Sequence, residues 1–537
     1  MGSIFLFLFS FLLLSFVLAG DTLVQLDYAS YKGTDRGNGI SDWLGMRYAA
    51  PPTGKLRFSA PEDPPRSHSV QNADKHGLIC LGTGAPPDSK TQSEDCLFID
   101  VYAPTSATPN SKLPVYFFIQ GGGFNTNSNP NLNGTGLIHA SGGNIIVANF
   151  NYRVGPYGFL ASKEVEAGGS LNNGLKDQIK ALQWVQKYIS KFGGDPKHVV
   201  IGGDSAGAAS VTYLQTAYGG RNDHLFIGSA AESQSFATEL TVSASQYMYD
   251  NLVIRTSCAN ASDTLRCLRS VKASDLQAVN FNLPFPGGAD PPLYMYQPTI
   301  DNDLIRDLPY NAYAQGKFIK IPTIFGDDTN GGATFAPPNT STLAESNQFM
   351  KDQFPALTLA DLAKIDQLYP LTNDRFPNSG PYYRQLSNVY GDMRYTCPGL
   401  YISKAYTKAG YKSYNYRYNV LDPHDVAVGL GVPHTVEINA IWAQSYDFAG
   451  PGAPASYNTT NKGIIPVIQG YWTSFIRTLD PNVHRFPGTP VWEEWTLKDD
   501  EWRRLKFQTN ETAMEDVAPT QKSHCQWLQS IGPSVNQ

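Results

Sequence analysis

The residues best suited to chemistry lie in Val199-Val200-Ile201-Gly202-Gly203-Asp204-Ser205-Ala206-Gly207. A β-branched run predicts a buried strand, and a small-residue run from Ala206 predicts a helix. Between them sits Gly-x-Ser-x-Gly, the pattern of a sharp strand-to-helix turn that lifts a serine hydroxyl above a sheet. Ser205 is the candidate nucleophile for acyl transfer. Gly203 and Gly207 flank it because side chains there would collide with the neighbouring strand and helix. The helix N-terminus places a positive dipole and the N–H of Ala206 beside the reacting oxygen.

The elements around this turn repeat in a strand–helix–strand order. Leu113–Ile119 is a short apolar run and predicts a buried strand. Ile145–Phe150 predicts the next one. Leu175, Ile179, Leu182, Val185 and Ile189 recur every three or four residues, so 172–192 predicts a helix with one apolar face. Gly193-Gly194-Asp195-Pro196 should stop it, and a strand over 198–201 then leads into the serine turn. A later strand is predicted over 321–325, opening into Gly326-Asp327-Asp328-Thr329-Asn330-Gly331-Gly332. Buried-type strands alternating with helices argue for an α/β protein with a large, mostly parallel sheet covered on both faces. Residues 340–430 read as helices and loops forming a cap or wall. No flexible linker divides the chain, so 21–537 is expected to be one domain.

Net charge is −6 over 537 residues, which argues against a nucleic-acid-binding surface. Ile4–Leu18 is apolar and uncharged, and small residues follow it. Residues 1–20 are therefore expected to be a signal peptide cut after Ala19 or Gly20, with an uncleaved anchor as the alternative. No other stretch is long enough to span a bilayer, so stable membrane insertion is not expected. Secretion makes sense of six cysteines. Local pairs Cys80–Cys96 and Cys258–Cys267 would close short loops, leaving Cys397–Cys525 to tie back the C-terminus. Sequons at Asn133, Asn260, Asn339, Asn458 and Asn510 point to glycosylation. Histidine and cysteine show no metal-ligand spacing and no organic cofactor motif occurs, so neither metal nor cofactor is expected.

Several motifs in one order resemble the type-B carboxylesterases, the α/β-hydrolase family of fungal esterases and lipases and of cholinesterases. They are Glu94-Asp95-Cys96-Leu97, Gly121-Gly122-Gly123-Phe124, Asn151-Tyr152-Arg153, Phe192-Gly193-Gly194-Asp195-Pro196, Gly203-Asp204-Ser205-Ala206-Gly207, Ala231-Glu232-Ser233 and Gly431-Val432-Pro433-His434. The likeness is strongest to secreted fungal members and runs over nearly the whole mature chain. It implies Ser205 as the acylated nucleophile and His434 as general base and then acid. It implies an oxyanion hole from the N–H groups of Gly122, Gly123 and Ala206, worth about 3 kcal/mol per donor. Asp204 and Ser233 would be supporting residues. The proposed cysteine pairing also matches the bridges usual in the family.

One position departs from the family. Its fungal pattern after the 321–325 strand resembles Gly-Asp-Asp-Thr-Asn-Glu-Gly, and this chain has Gly331 where the glutamate of the triad would stand. Three readings follow. Asp327 or Asp328 replaces the acid; His434 works with a weaker orienter such as Asn330 or water; or hydrolysis is lost and the fold is kept for binding. Losing the acid alone costs about 3 × 10⁴ in turnover in a subtilisin-type triad, less than losing serine or histidine. The short Cys80–Cys96 loop leaves no room for a long lid. The expected partner is thus a small or medium ester, with a natural-product pathway as one setting for it. An acyltransferase or lactone-acting enzyme is the alternative on the same scaffold. The sequence is silent on oligomeric state.

Overall fold

A computed structural model describes residues 22–373, 375–443, 454–498 and 501–537. The expected signal peptide lies outside the described residues. In the strand Leu113–Ile119, Val115, Phe117 and Ile119 enter one hydrophobic core, whereas Tyr116 and Phe118 enter another. Successive strand side chains point to opposite faces, so an unbroken apolar run requires cover on both. The serine strand behaves likewise: Val199 and Ile201 face the first core and Val200 the second.

The central sheet has eleven strands. In chain order they are β1 (Thr34–Asp35), β2 (Ile40–Arg47), β3 (Phe98–Pro104), β4 (Leu113–Ile119), β5 (Ile146–Phe150) and β6 (Gly194–Asp204). They continue with β7 (Gly228–Glu232), β8 (Thr323–Asp328), β9 (Ser413–Tyr418), β10 (Arg503–Phe507) and β11 (Ala513–Asp516). The spatial order is β11-β10-β9-β8-β7-β6-β4-β5-β3-β2-β1. Every pairing from β5 through β4, β6, β7, β8 and β9 to β10 is parallel. The pairings outside that block are antiparallel. The mostly parallel sheet expected from the sequence is what forms.

The helix Asn173–Tyr188 crosses from β5 to β6 and buries Leu175, Leu182 and Val185. It tightens into a 3-10 turn over Ile189–Phe192 and stops at Gly193, whose φ of +93° is left-handed. A third core, holding Met350, Phe354, Leu386, Tyr390 and Tyr395, forms the helical wall over the C-terminal edge of the sheet. The bridges Cys80–Cys96, Cys258–Cys267 and Cys397–Cys525 form as paired above. The last of these fastens that wall to the C-terminal helix Pro519–Ile531.

Three boundaries differ from expectation. The strand expected over 198–201 begins earlier and runs to Asp204. The strand expected over 321–325 is displaced to Thr323–Asp328, because β8 stays in register with β9 as far as Asp328 opposite Tyr418. Ser413–Tyr418, expected among helices and loops, is β9. Its Tyr414, Tyr416 and Tyr418 share one buried face, with smaller or polar residues between them.

Candidate active site

Ser205 occupies the elbow between β6 and the helix that opens at Ala206, with φ 53° and ψ −118°. Such backbone is strained for a residue with a side chain, and it persists only where its surroundings hold it. Ser205 N–H donates to Glu232 O of β7 at 3.0 Å. A Cβ on Gly203 would lie 2.6 Å from Ile119 O, and one on Gly207 would lie 1.9 Å from the same oxygen. Both glycines are thus needed because the elbow is pressed against the end of β4.

The glycine loop leaves β4 beside this elbow. Gly122 and Gly123 have φ of 111° and 60°. A Cβ on Gly122 would lie 2.1 Å from Thr126 O, and one on Gly123 would lie 2.2 Å from Cδ1 of Tyr294. Among the described residues, none of the N–H groups of Gly122, Gly123 and Ala206 donates to a backbone carbonyl. Asp204 ties loop to elbow. One of its carboxylate oxygens accepts from Gly121 N–H and the other from Asn129 Nδ2, each at 2.8 Å. Burial pushes the Asp204 pKa up to about 7, against those two hydrogen bonds.

His434 sits on the loop between β9 and the helix Ile438–Trp442. The loop is clamped to the exit of β8. Asn330 N–H donates to Val432 O at 2.9 Å, and Val432 N–H donates to Asn330 Oδ1 at 3.1 Å. Thr435 N–H donates to Asp328 Oδ2 at 2.7 Å. The imidazole lies against Tyr395, with centroids 4.2 Å apart and planes inclined by 31°. Phe335 meets it edgewise at 5.2 Å. Both ring nitrogens are buried without a hydrogen-bond partner. Burial, and then the nearby charge of Arg394, push the His434 pKa down to about 3.

Gly331 begins the 3-10 turn Gly331–Thr334. A Cβ there would stand 3.9 Å from His434 Nδ1 and 3.7 Å from Tyr395 Cδ2. The position therefore faces the imidazole, and the space in front of it is open.

Neither aspartate expected as an orienting acid reaches His434. They are strand residues rather than loop residues, and they point to opposite faces of β8. Asp328 accepts from Ser233 Oγ at 2.6 Å as well as from Thr435 N–H, beneath the histidine loop. Ser233 Oγ also lies 2.8 Å from Glu437 Oε1, which accepts from Tyr416 OH at 2.9 Å. Asp327 lies on the other side, where a Cβ on Gly399 would be 3.1 Å from its Oδ2. Burial raises the pKa of both aspartates. Asn330, the weaker orienter considered above, is occupied by Val432.

Ser233 thus supports the loop carrying His434, and Asp204 supports the glycine loop. Phe124 and Tyr152, which lie in two of the motifs above, belong to the core: Phe124 packs on Phe159 at 5.0 Å and Tyr152 OH donates to Gln120 O at 2.9 Å. Tyr395, Phe335, Tyr294, Arg394, Glu437 and Asn129 escaped the sequence reading as individuals. Asn133, Asn260, Asn339, Asn458 and Asn510 are all exposed.

A serine elbow, a glycine loop and a histidine loop at one edge of a doubly covered parallel sheet define an α/β-hydrolase. The chain belongs to the carboxylesterase family, whose profile matches residues 21–526, and is a hydrolase of that family. It is similar to the crystal structure of Aspergillus niger EstA, with 43% identity and a TM-score of 0.93 over 96% of this chain and 99% of that one. It is 30% identical to secreted lipase 4 of Gibberella zeae over 94% of this chain and 92% of the relative. It is 34% identical to the para-nitrobenzyl esterase of Bacillus subtilis over 65% of this chain and 70% of the relative.

Proposed function

We propose that the protein is a secreted serine carboxylic-ester hydrolase for small or medium esters. The observation that carries this reading is the coupling of Ser205 to the glycine loop through Asp204, which leaves three N–H groups free beside the strained serine. Ser205 Oγ attacks the ester carbonyl carbon while His434 Nε2 takes its proton. Gly331 faces Nδ1, so Nε2 is the nitrogen left for the serine. The carbonyl oxygen becomes an oxyanion held by Gly122, Gly123 and Ala206. The C–O bond breaks as Nε2 returns the proton to the leaving alcohol. Water, deprotonated by the same nitrogen, then releases the acid and restores Ser205.

Tyr395 and Phe335 orient the imidazole in place of a carboxylate. They set its plane by packing but do not neutralise the imidazolium, so turnover should be modest. The loop closed by Cys80–Cys96 supports the preference for small esters over oil droplets. Asn127 Nδ2 donates to Cys80 O at 2.7 Å, Thr83 N–H to Asn125 O at 2.7 Å, and Gln277 Nε2 to Gly82 O at 2.6 Å. A loop pinned so closely is a poor lid. Three disulfides, exposed sequons and relatives named as secreted lipases support export after removal of residues 1–20. One continuous sheet supports reading 21–537 as one domain.

The test is hydrolysis of p-nitrophenyl acetate and butyrate by the purified protein beside Ser205→Ala. Turnover abolished in the variant, with phosphonate labelling of Ser205, is expected. Equal rates in both proteins would refute the reading.

A further inference from the structure

Four arginines are buried among the described residues: Arg57, Arg153, Arg394 and Arg504. Three have a carboxylate. Arg57 pairs with Glu94 at 2.5 Å, Arg153 with Asp177 at 2.7 Å and Arg504 with Glu515 at 2.8 Å. Arg394 has none, although only 6% of it is exposed, and its Nε has no hydrogen-bond partner. Asp392, on the same turn, is turned away to Tyr369 OH at 2.9 Å. The guanidinium instead lies 5.5 Å from the ring centroid of Tyr294 and 6.0 Å from those of Tyr390 and Tyr395. Ring faces recover only part of what is lost when a cation leaves water. Nε, one arm of a planar fork of donors matched to carboxylate geometry, is left without an acceptor.

The location gives this vacancy a meaning. Tyr294 covers Gly123 of the glycine loop, and Tyr395 covers the imidazole of His434. Arg394 therefore rests on the two rings that wall the reaction centre. It projects from a single turn of π-helix, Asp392–Thr396, set between the helices Tyr383–Gly391 and Cys397–Lys408. Such turns are uncommon and recur at functional sites.

We infer that Arg394 is the anchor for a carboxylate carried by the substrate, so that the preferred substrates are half-esters of dicarboxylic acids or other esters with a carboxylate a few atoms from the scissile bond. This inference rests on the esterase reading above. The guanidinium holds the free carboxylate bidentately, and the ester group is thereby placed between Ser205 and the glycine loop. The charge of the substrate is neutralised in the same step that supplies Arg394 with its missing partner.

The experiment compares monoethyl glutarate with its neutral isostere, the ethyl ester of glutaramic acid, following ethanol release. The wild-type protein should favour the anionic ester in kcat/KM by about tenfold or more, the scale of a charge-assisted pair. In Arg394→Gln that ratio should fall to about one, and Arg394→Lys should restore part of it. A wild-type ratio near one, or a ratio unchanged in Arg394→Gln, overturns the inference. Should the Arg394 variants fail to fold, competition on the wild-type protein decides. Glutarate should inhibit p-nitrophenyl butyrate hydrolysis competitively and glutaramide should not; equal inhibition by both, or by neither, overturns it. Loss of p-nitrophenyl butyrate turnover in Ser205→Ala stands apart from these ratios, so a failed esterase reading and a failed anion site give different results.

Discussion

The imidazole of His434 packs on the ring of Tyr395 at 4.2 Å with the planes inclined by 31°, while the backbone position facing its Nδ1 is Gly331. Stacking fixes the plane of the ring. It leaves the nitrogen without an acceptor, so the cation formed during acyl transfer is not compensated. Supplying a carboxylate should therefore help. Gly331 is not left-handed, and a Cβ there meets nothing closer than 3.7 Å, so Gly331→Glu introduces neither backbone strain nor a clash at Cβ. We expect kcat on p-nitrophenyl butyrate to rise by about tenfold or more, a fraction of the roughly 3 × 10⁴ attributed to a triad acid. A fall would mean that substrate occupies the space left by the glycine.

The pH profile follows from the same burial. The His434 pKa is pushed down to about 3, so the base is already neutral at every pH above that. The acid limb of kcat/KM reports the free enzyme's base. It should lie well below the usual histidine value of 6.5 and approach 3. Gly331→Glu should move the limb upward, because a neighbouring carboxylate favours the imidazolium. A wild-type limb near 6.5, measured in a pH-stat, would show that the ring is solvated or paired in solution.

Much of this site was legible in sequence because its parts are local. The turn around Ser205 and the glycine run after β4 each occupy a few consecutive residues whose types are dictated by close backbone approach. The helix Asn173–Tyr188 was legible from its apolar period. Asp327 and Asp328 were misplaced for a different reason. Acidic residues before glycines suggest a loop, yet β8 is carried past Phe325 by its pairing with the Tyr-rich β9. Tertiary pairing overrode local preference. The packing of Tyr395 and Arg394 around His434 joins segments distant in the chain, and no short pattern encodes it.

Tyr395 offers a direct test of aromatic orientation. Tyr395→Phe keeps the ring and should retain most activity. Tyr395→Leu removes the stack, an interaction worth about 1 kcal/mol. We expect kcat to fall by about five- to tenfold while KM changes little, because the base and not the substrate loses its position. A rise in KM at constant kcat would place Tyr395 in substrate binding instead.

Asp204 joins the two halves of the site, and its titration makes that joint measurable. Its carboxyl is buried, and its pKa is about 7 in the folded chain against a model-peptide value of 3.8. A raised folded pKa means that the stability it contributes is fully present below about pH 4 and is lost as pH rises through about 7. The melting temperature of the wild-type protein should therefore decline between pH 5 and 8 partly on account of this residue. Asp204→Asn cannot titrate, and its curve should be flatter over that interval. The variant also turns an acceptor towards Asn129 into a donor, which loosens the glycine loop and should lower kcat by about tenfold through a misplaced oxyanion hole. Calorimetry of both proteins across the interval decides the first point: parallel curves would mean that Asp204 stays ionised in the folded state and that its two hydrogen bonds outweigh its burial.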